Sequence, residues 1–341
     1  MLGGRFVHPV LGLPGGVAKA VTPEMQQRLI EIGERFVEFG TLSLQIWRDA
    51  ILGAPEFKEM IFSPAYLHRT HNMGLVDENN RVNFYDGHVR VVDVNGNQVA
   101  RYQAADYQQH VAEHVEPWTY LKFPYLKEFG WKGLVDGMES GVYRATPLGR
   151  LNAAEGMATP LAQEAYEEFY DYMGAKPVHA TLATHWARLV EMLYAGERVL
   201  ELARHPDLTD PNIRVIPTKK PREGVGTVEA PRGTLTHHYI PDEQGLVAKA
   251  NLIVGTTNNH AAICMSIKKA AQELIGGGKE ITKGLLDRVE MAFRAYDPCF
   301  GCATHALPGE MLLDVTVFDH EGQLVAQLSR DDNAGMERVE P

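Results

Sequence analysis

The 341-residue sequence contains few cysteines, three in all. So small a number excludes a fold held together by a disulfide framework and is typical of a reducing compartment. Cys299 and Cys302 form one C-x-x-C pair, and no second pair exists to complete a four-thiolate site. The cysteine content therefore predicts a cytoplasmic protein whose close pair is metal-binding or redox-active.

The sequence also lacks an excess of positive charge and any long uncharged apolar segment. Lys and Arg number 33 against 44 Asp and Glu, which gives a formal net charge of −11. Nucleic acid and anionic membrane surfaces both favour a basic face, so an acidic chain is a poor partner for either. No apolar run approaches the ~18 residues of a membrane span, and the opening "MLGGRFVHPV" is not a signal peptide. We predict neither a nucleic-acid partner nor a membrane span.

Helical patterns dominate what the sequence does contain. A long helix is predicted from Pro23 onward, with Thr22 as its N-cap. Its predicted buried face consists of apolar residues at helical spacing, namely Leu29, Ile32, Phe36 and Phe39. Further helices are predicted in the segments "TPLAQEAYEEFYDYM", "HATLATHWARLVEMLYAGERVLELARH", "NNHAAICMSIKKAAQELIGGG" and "ITKGLLDRVEMAFRAY".

Alternating apolar and polar residues predict strands in other parts of the chain. A small antiparallel meander is predicted near 81–103, where two dipeptides favour hairpin turns, Asp86-Gly87 and Asn95-Gly96. The segment "GLVAKANLIVG" predicts a buried strand, and "MLLDVTVFDHEGQLVAQL" predicts a hairpin about Glu321-Gly322. Together these patterns predict an α+β fold that is predominantly helical.

A lone C-x-x-C pair is compatible with several kinds of site. Haem attachment requires His directly after the second Cys, but Ala303 and Thr304 intervene here. A thioredoxin-type pair opens a helix, whereas this pair follows one. Half of a zinc site and two small residues buried in a loop both remain open from spacing alone. A phosphate loop at 276–279 is excluded because Glu280 replaces the required Ser or Thr.

The residues around the pair narrow these alternatives. "DPCFGCATH" resembles the C-terminal nickel-binding motif of the [NiFe]-hydrogenase large subunit, Asp-Pro-Cys-x-x-Cys-x-x-His. Other blocks of that family occur in the same order, namely "GGRFVHPV", "TPLGRLN" (with Thr146 in place of the usual Gly), "VEAPRG" and "VGTTNN". The resemblance covers 3–305 and is closest to the cytoplasmic bidirectional group. It implies the hydrogenase large-subunit fold, with a helical bundle core and small antiparallel meanders, over a domain at 1–305.

The resemblance implies a nickel–iron centre with carbon monoxide and cyanide ligands, held by four thiolates. The resemblance implies that Cys299 is a terminal nickel ligand and Cys302 a bridge to iron. Soft thiolates suit these metals, which agrees with keeping both cysteines reduced. Asp297 would be a catalytic carboxylate beside the metals, although without the resemblance it is a helix-terminal residue in a turn. His305 would help to hold a magnesium ion.

Three more residues would face the cofactor on the same resemblance. Arg232 of "EAPRG" would lie over the metals and donate to a cyanide, because a guanidinium offers a rigid fork of donors. Pro231 precedes it in the same cofactor-binding segment. Thr256 of "VGTTNN" would bond the other cyanide, whereas without the resemblance it is an N-cap for the following helix. Gly255 stands where Pro or Ala is more usual in the family.

A member of this family would catalyse the reversible heterolytic cleavage of H2. Its electrons would pass first to an iron–sulfur small subunit, then to electron-transfer subunits of the flavin/NAD or heterodisulfide-reductase type. Two alternatives belong to other classes of protein. One is a metal-free relative resembling the quinone-site subunit of respiratory complex I, and the other is a zinc-binding interaction protein. The retained "DPCFGCATH" favours the hydrogenase over the complex I relative, which lacks these thiols.

The family's other two thiolates come from an Arg-x-Cys-Gly-x-Cys motif that this sequence does not contain. We therefore expect a large subunit that lacks its N-terminal part and is inactive by itself. The family also employs a maturation endopeptidase that cuts after the histidine of the cysteine motif. The resemblance accordingly implies that 306–341 is a C-terminal extension removed during maturation.

Overall fold

The computed structural model describes residues 2–4, 11–119, 121–275, 281–299, 314–319, 321–331 and 335–339. It is 43% helical and 23% strand, which confirms the predicted α+β fold with helix predominant. The helices are α1 (Pro23–Ile46), α2 (Pro55–Ile61), α3 (Tyr107–His110), α4 (Pro147–Ala153), α5 (Pro160–Met173), α6 (Thr184–Ala203), α7 (His260–Ile275) and α8 (Lys283–Arg294). Within the described ranges, no helix is both long and apolar enough to cross a membrane.

The strands are short and fall into several sheets. Their bounds are β1 (Gly12–Leu13), β2 (Gly16–Val17), β3 (His71–Val76), β4 (Arg81–Val82), β5 (His88–Val92), β6 (Gln98–Tyr102), β7 (Val111–Val115), β8 (Lys122–Leu126), β9 (Tyr143–Arg144), β10 (Gly156–Met157), β11 (Gly224–Ala230), β12 (Gly233–Pro241), β13 (Val247–Ile253), β14 (Asp314–Phe318), β15 (Leu324–Asp331) and β16 (Gly335–Val339). The largest sheet has the order β10-β4-β3-β5-β6, with β9 paired parallel to β3.

Helix α1 begins as predicted, but a different face of it is buried. Thr22 Oγ1 accepts a hydrogen bond from the Met25 amide at 3.2 Å, and Pro23 occupies the first helical turn. The predicted face is wrong in part, because Ile32 is 46% exposed and Phe39 is 56% exposed. The physical reason lies in the glycines that face α6.

Two glycines of α1 let its backbone approach α6 closely. A Cβ on Gly33 would lie 3.1 Å from the Cα of Leu200, and a Cβ on Gly40 would lie 3.2 Å from the Cα of Leu193. Glycine carries no side chain, so an apolar-periodicity pattern does not count it as part of a buried face. The helix therefore turns its glycines, rather than Ile32 and Phe39, toward its neighbour.

One hairpin of the predicted meander is confirmed and the other is wrong. β5 and β6 form a hairpin through Asn95-Gly96, with Gly96 at φ 90°. β4 pairs with β3 and not with β5, so β3 separates the two strands that Asp86-Gly87 was expected to join. All of β3, "HNMGLV", is buried. A strand buried on both faces shows no alternation, which is why the sequence pattern misses it.

The remaining sheets are antiparallel. β11, β12 and β13 form a three-stranded sheet, and β14, β15 and β16 form another. The strand predicted in "GLVAKANLIVG" is β13, but it is not buried, because it lies at a sheet edge with most of its residues exposed. The predicted hairpin about Glu321-Gly322 is confirmed between β14 and β15, with Gly322 at φ 80°.

The larger hydrophobic core lies among the helices. Trp186 of α6 is 1% exposed and meets Phe169 of α5 edge to face, with ring centroids 5.2 Å apart. Every residue of α4 is buried, and this helix packs across β3. Since α4 and α6 both pass through the core, their polar side chains are held in fixed positions behind the surface where the motif segments meet.

Buried histidines should make the stability of the fold depend on pH. Burial, followed by the charge of Arg144, lowers the pKa of His179 to about 4, while its Nε2 lies 2.9 Å from the carbonyl of Val94. Because the folded-state pKa is below the unfolded value of 6.5, the unfolded chain binds more protons between pH 6.5 and 4. Stability contributed by this histidine is therefore lost as pH falls through that window.

The free energy of unfolding should fall less steeply with decreasing pH in His179→Gln, by about 1.4 kcal/mol per pH unit. Glutamine keeps a donor for the Val94 carbonyl but does not titrate. The measurement is the free energy of urea unfolding between pH 4 and pH 7. His205→Gln, at an exposed histidine, serves as the control and should leave the slope as it is. Equal slopes for wild type and His179→Gln would contradict the prediction.

Candidate metal centre

Asp297 and Cys299 lie in the turn that follows α8, hereafter the cysteine turn (295–299). Asp297 has a left-handed backbone, φ 49°, which Asp adopts more readily than most residues. Before it, the Tyr296 hydroxyl lies 2.8 Å from Ser266 Oγ of α7. After it, the Cys299 amide donates to Thr256 Oγ1 at 3.1 Å. The turn is thus fixed on both sides of Asp297.

Arg232 lies in the tight turn between β11 and β12 and reaches the cysteine turn. Its Nε donates to the carbonyl of Asp297 at 2.6 Å and lies 3.4 Å from the Oδ2 of that residue. The carbonyl of Arg232 accepts from Asn259 Nδ2 at 2.9 Å. Gly233 permits this close packing, since a Cβ there would lie 2.4 Å from the carbonyl oxygen of Gly255. Among the described residues, no acceptor is bonded to the terminal nitrogens Nη1 and Nη2 of Arg232.

Thr256 contacts the cysteine turn instead of capping a helix. It precedes the 3-10 helix Thr257–Asn259, but its side chain makes no capping hydrogen bond. The residue is 2% exposed, and its hydroxyl accepts from the Cys299 amide. Thr256 therefore occupies the predicted N-cap position, but its side chain does not cap the helix. A hydroxyl that accepts one hydrogen bond still has its own hydrogen to donate, so Thr256 can serve a second acceptor at this turn.

Arg188 and His185 of α6 also border the cysteine turn, and neither was predicted from the sequence. Arg188 Nη2 donates to the carbonyl of Ala295 at 3.0 Å, and its Nη1 lies 3.4 Å from His185 Nδ1. Burial, followed by the charge of Arg188, lowers the pKa of His185 to about 4, so this imidazole is neutral near pH 7. Arg188 and Arg232 therefore bring positive charge to the turn.

Three more charged residues lie directly behind Arg232. Arg150 Nε and Nη2 are each 2.6 Å from an oxygen of Glu191, and Arg150 Nη1 is 3.0 Å from Glu229 Oε2. Arg150 and Glu229 stand inside the blocks "TPLGRLN" and "VEAPRG", so those motifs contained a signal for them. Glu191 lies within an ordinary helical pattern and gives no such signal.

Some predicted site residues lie beyond what the structure describes, and others can be placed. Cys302 and His305 lie outside the described residues. Cys299 is disulfide-bonded in this structure, and only the reduced thiolate can bind a metal.

No group of three or more His, Cys, Asp or Glu side chains within the described ranges is arranged to hold a metal. Cys264 is a free, half-buried thiol in α7 whose pKa is raised by burial.

Comparison with protein families identifies the segments that meet here. The protein-family model described as "Nickel-dependent hydrogenase" matches residues 1–305 of this chain. The chain belongs to this family. The match covers every motif block that carries the resemblance, including those of Arg232, Thr256 and Cys299. It favours the hydrogenase prediction over both the complex I relative and the zinc-binding protein.

Individual relatives in the nickel-dependent hydrogenase family are substantially similar to this chain. It is 48% identical to an F420-non-reducing hydrogenase iron-sulfur subunit of Archaeoglobus profundus, over 95% of this chain and 67% of the relative. It is 39% identical to the beta subunit of the NAD-reducing hydrogenase HoxS of Cupriavidus necator, over 96% of this chain and 66% of the relative. The chain thus spans about two thirds of the length of these relatives.

Solved structures agree on the fold. An NAD+-reducing [NiFe]-hydrogenase in the H2-reduced state matches with a TM-score of 0.78 and 32% identity, over 87% of this chain and 63% of that one. A [NiFeSe]-hydrogenase from Dm. baculatum matches with a TM-score of 0.60 at 17% identity, over 89% of this chain and 65% of that one, which bears on the fold alone. The predicted hydrogenase large-subunit fold is confirmed, whereas the roles of the individual site residues stay predictions.

Proposed function

We propose that this chain is the catalytic subunit of a [NiFe]-hydrogenase, which reversibly converts H2 into two protons and two electrons. The observation that carries the proposal is the meeting of Arg232, Thr256, Asp297 and Cys299 from three separate segments. Arg232 Nε contacts the Asp297 carbonyl at 2.6 Å, and the Cys299 amide contacts Thr256 Oγ1 at 3.1 Å. A structural zinc site needs thiols or imidazoles as ligands. The guanidinium of Arg232 and the hydroxyl of Thr256, which lie beside Cys299, are not zinc ligands.

The residues present fit a nickel–iron centre that carries carbon monoxide and cyanide. Thiolates are soft ligands that suit both metals, and Cys299 and Cys302 would supply two of them. Since the sequence has only three cysteines, the other two thiolates of such a centre would have to come from elsewhere in the assembled enzyme. Arg188 and Arg232 provide positive surroundings for a centre with anionic ligands. When bound, the centre would polarise hydrogen and carry its electrons away.

Arg232 and Thr256 would orient the cyanide ligands. The Nε of Arg232 is bonded to the Asp297 carbonyl. Because the guanidinium is planar, this bond also fixes the direction of Nη1 and Nη2, which can then donate to a cyanide nitrogen. The hydroxyl of Thr256, which already accepts from Cys299, would donate its hydrogen to the other cyanide. Donors that protein contacts have already oriented need little reorganisation during the reaction. Pro231 would line the same cofactor-binding segment.

The proton released from hydrogen needs an acceptor close to the centre. Arg232 is a poor acceptor because a guanidinium stays protonated at physiological pH. Cys299 is the better candidate, since a metal-bound cysteine is a deprotonated thiolate. We infer that Cys299 Sγ takes the proton, while Arg232 holds Asp297 and orients cyanide.

The proposal extends to partners and processing. An iron–sulfur small subunit would take the electrons, followed by subunits of the flavin/NAD or heterodisulfide-reductase type; of these, NAD appears in the name of the Cupriavidus necator relative. His305 would hold Mg²⁺, and a maturation endopeptidase would cut after it to remove 306–341. The cytoplasmic location predicted from the cysteine content stays a prediction.

The deciding experiment is Cys299→Ser in the assembled enzyme. Serine offers a harder oxygen that stays protonated near neutral pH, so we expect stoichiometric nickel and hydrogen oxidation both to be lost. The measurements are nickel and iron per chain by metal analysis, and hydrogen-dependent reduction of a dye. The infrared bands of carbon monoxide and cyanide report separately whether the iron ligands are present.

Cys264→Ser provides the matched control, because it removes a thiol that lies in α7 and outside the cysteine turn. This variant should keep both nickel and activity. Full nickel occupancy in Cys299→Ser would contradict the proposal. A wild-type enzyme that binds only zinc, or that binds no metal, would instead support one of the two alternatives.

A further inference from the structure

Four charged side chains lie together behind the site, hereafter the buried charge cluster: the buried Arg150 of α4, Glu191 of α6 and Glu229 of β11, and the half-buried Arg188 of α6 beside them. Arg150 is 2% exposed and bonds both carboxylates, at 2.6 Å for Glu191 and 3.0 Å for Glu229. Two cations are thus present for two anions. Buried charges are tolerated only when they are paired and hydrogen-bonded, so Arg150, Glu191 and Glu229 depend on one another.

Arg150 also holds the backbone that leads into Arg232. Its Nη1 donates to the carbonyl of Ala230 at 2.9 Å, and its Nη2 lies 3.4 Å from the carbonyl of Pro231. Arg232 is the next residue along the chain. Because the guanidinium is planar and its donors are fixed relative to one another, the position of this backbone is tied to Glu191 and Glu229. The turn that carries Arg232 is therefore oriented by α4.

Arg188 makes the corresponding contact to the cysteine turn. Its Nη2 donates to the carbonyl of Ala295 at 3.0 Å, four residues before Cys299. Arg188 and Glu191 are three residues apart in α6 and so lie on one face of the helix. Glu191 bonds Arg150, while Arg188 bonds the cysteine turn. One face of α6 consequently connects to both turns of the candidate site.

A cavity beside the cluster shows why these hydrogen bonds matter. Its volume is ≈ 340 Å³, and its apolar lining includes Phe84, Met192 and Ala195, with Pro231 also facing it. Close packing normally determines where buried backbone lies. Pro231 is exposed, and on one side it faces this open space rather than packed side chains. The hydrogen bonds from the buried charge cluster are then what hold the carbonyls in place.

We propose that the buried charge cluster is a positioning device that sets the distance between Arg232 and Cys299. Arg150 and Arg188 act as positioning residues, through the backbone of the two turns. The effect on turnover rests on the proposed function, whereas the coupling of the two turns is a property of the protein itself. The consequence for rate is direct, because displacement of a reacting group by about 1 Å can cost about 100-fold.

Arg188→Met in the assembled enzyme tests the proposal. Methionine fills similar apolar space but cannot donate to Ala295, so we expect the rate of hydrogen oxidation per bound nickel to fall about tenfold. Nickel content and the KM for hydrogen should stay as in wild type. Hydrogen–deuterium exchange of backbone amides should become faster at 291–299. Arg188→Lys restores one donor and should recover most of the rate and the protection.

Arg198→Met is the matched control, since Arg198 lies on the same helix but bonds Glu201 and the Tyr85 hydroxyl at the surface. It should change neither rate nor exchange. Unchanged rate and exchange in Arg188→Met would overturn the proposal. The proposal would also be overturned if Arg188→Met lost rate only in proportion to lost nickel and if its hydrogen–deuterium exchange became faster along all of α6. A wild-type enzyme without nickel would contradict the proposed function, while the exchange comparison would still decide whether the turns are positioned.

Discussion

Arg232→Lys is expected to leave nickel and iron in place and to lower the rate of hydrogen oxidation about 100-fold, the effect of losing one oriented donor at a reacting centre. Arg232 uses Nε to hold the Asp297 carbonyl at 2.6 Å, and under the proposed function its terminal nitrogens would donate to cyanide. One ammonium group cannot do both. The measurements are the rate per bound nickel and the infrared bands of cyanide, which should shift when a donor is lost.

Arg214→Lys is a suitable control for that experiment. Arg214 is an exposed arginine whose Nε, like that of Arg232, donates to a backbone carbonyl, here that of Pro14 at 3.0 Å. The control should keep the wild-type rate. A wild-type rate in Arg232→Lys would contradict the role given to the guanidinium. An intact centre with no turnover at all would contradict a different assignment, that of Cys299 as the proton acceptor, and would make Arg232 the acceptor.

The sequence was most informative where a motif carries the chemistry. Arg232, Thr256 and Asp297 were all predicted from motif blocks, and the structure brings them together around Cys299 although Arg232 and Asp297 are 65 residues apart in the chain. Spacing along the chain could not show this meeting. It depends on the turn between β11 and β12, which approaches the 254–259 segment so closely that Gly233 has no room for a side chain.

Local signals for chain reversal and helix initiation were reliable, while signals for burial were not. Thr22 caps α1, and Gly96 and Gly322 adopt the positive φ that their hairpins require. These features depend on a few neighbouring residues. The buried face of α1 and the place of β3 depend instead on what packs against them. Glycine contacts and full burial leave no periodic pattern, so the sequence could not indicate either.

The buried charge cluster was missed for a related reason. Charged residues lie at the surface in most proteins, and nothing in "HWARLVEML" distinguishes an exposed Arg188 or Glu191 from a buried one. Glu191 is buried and Arg188 half-buried because α6 packs against α4 and Arg188 contacts the end of α8. Arg150 is recognisable only because it lies in a motif block, which suggests that a motif residue without an assigned role is a good place to look for a positioning residue.

Arg150→Met is expected to lower the free energy of unfolding by about 3–5 kcal/mol, because it leaves Glu191 and Glu229 buried without their shared partner. Burial lowers the pKa of Arg150 and the two carboxylates raise it, with the net direction upward, so the guanidinium is charged in the folded protein. Urea unfolding of the purified protein measures the loss. Arg90→Met is the control, since Arg90 is also buried but its partner Glu155 is half exposed and can be hydrated when left alone.

The loss in Arg150→Met should also depend on pH. Burial already raises the pKa of Glu229 in the wild type, and removing the opposing charge of Arg150 should raise that folded-state pKa further above the unfolded value. Stability is then retained at low pH, where Glu229 is protonated, and is lost as pH rises. We expect a larger loss at pH 8 than at pH 5, and partial recovery on adding Glu191→Gln and Glu229→Gln. A loss no greater than that of Arg90→Met, or one independent of pH, would mean that the cluster does not depend on Arg150 for its charge balance.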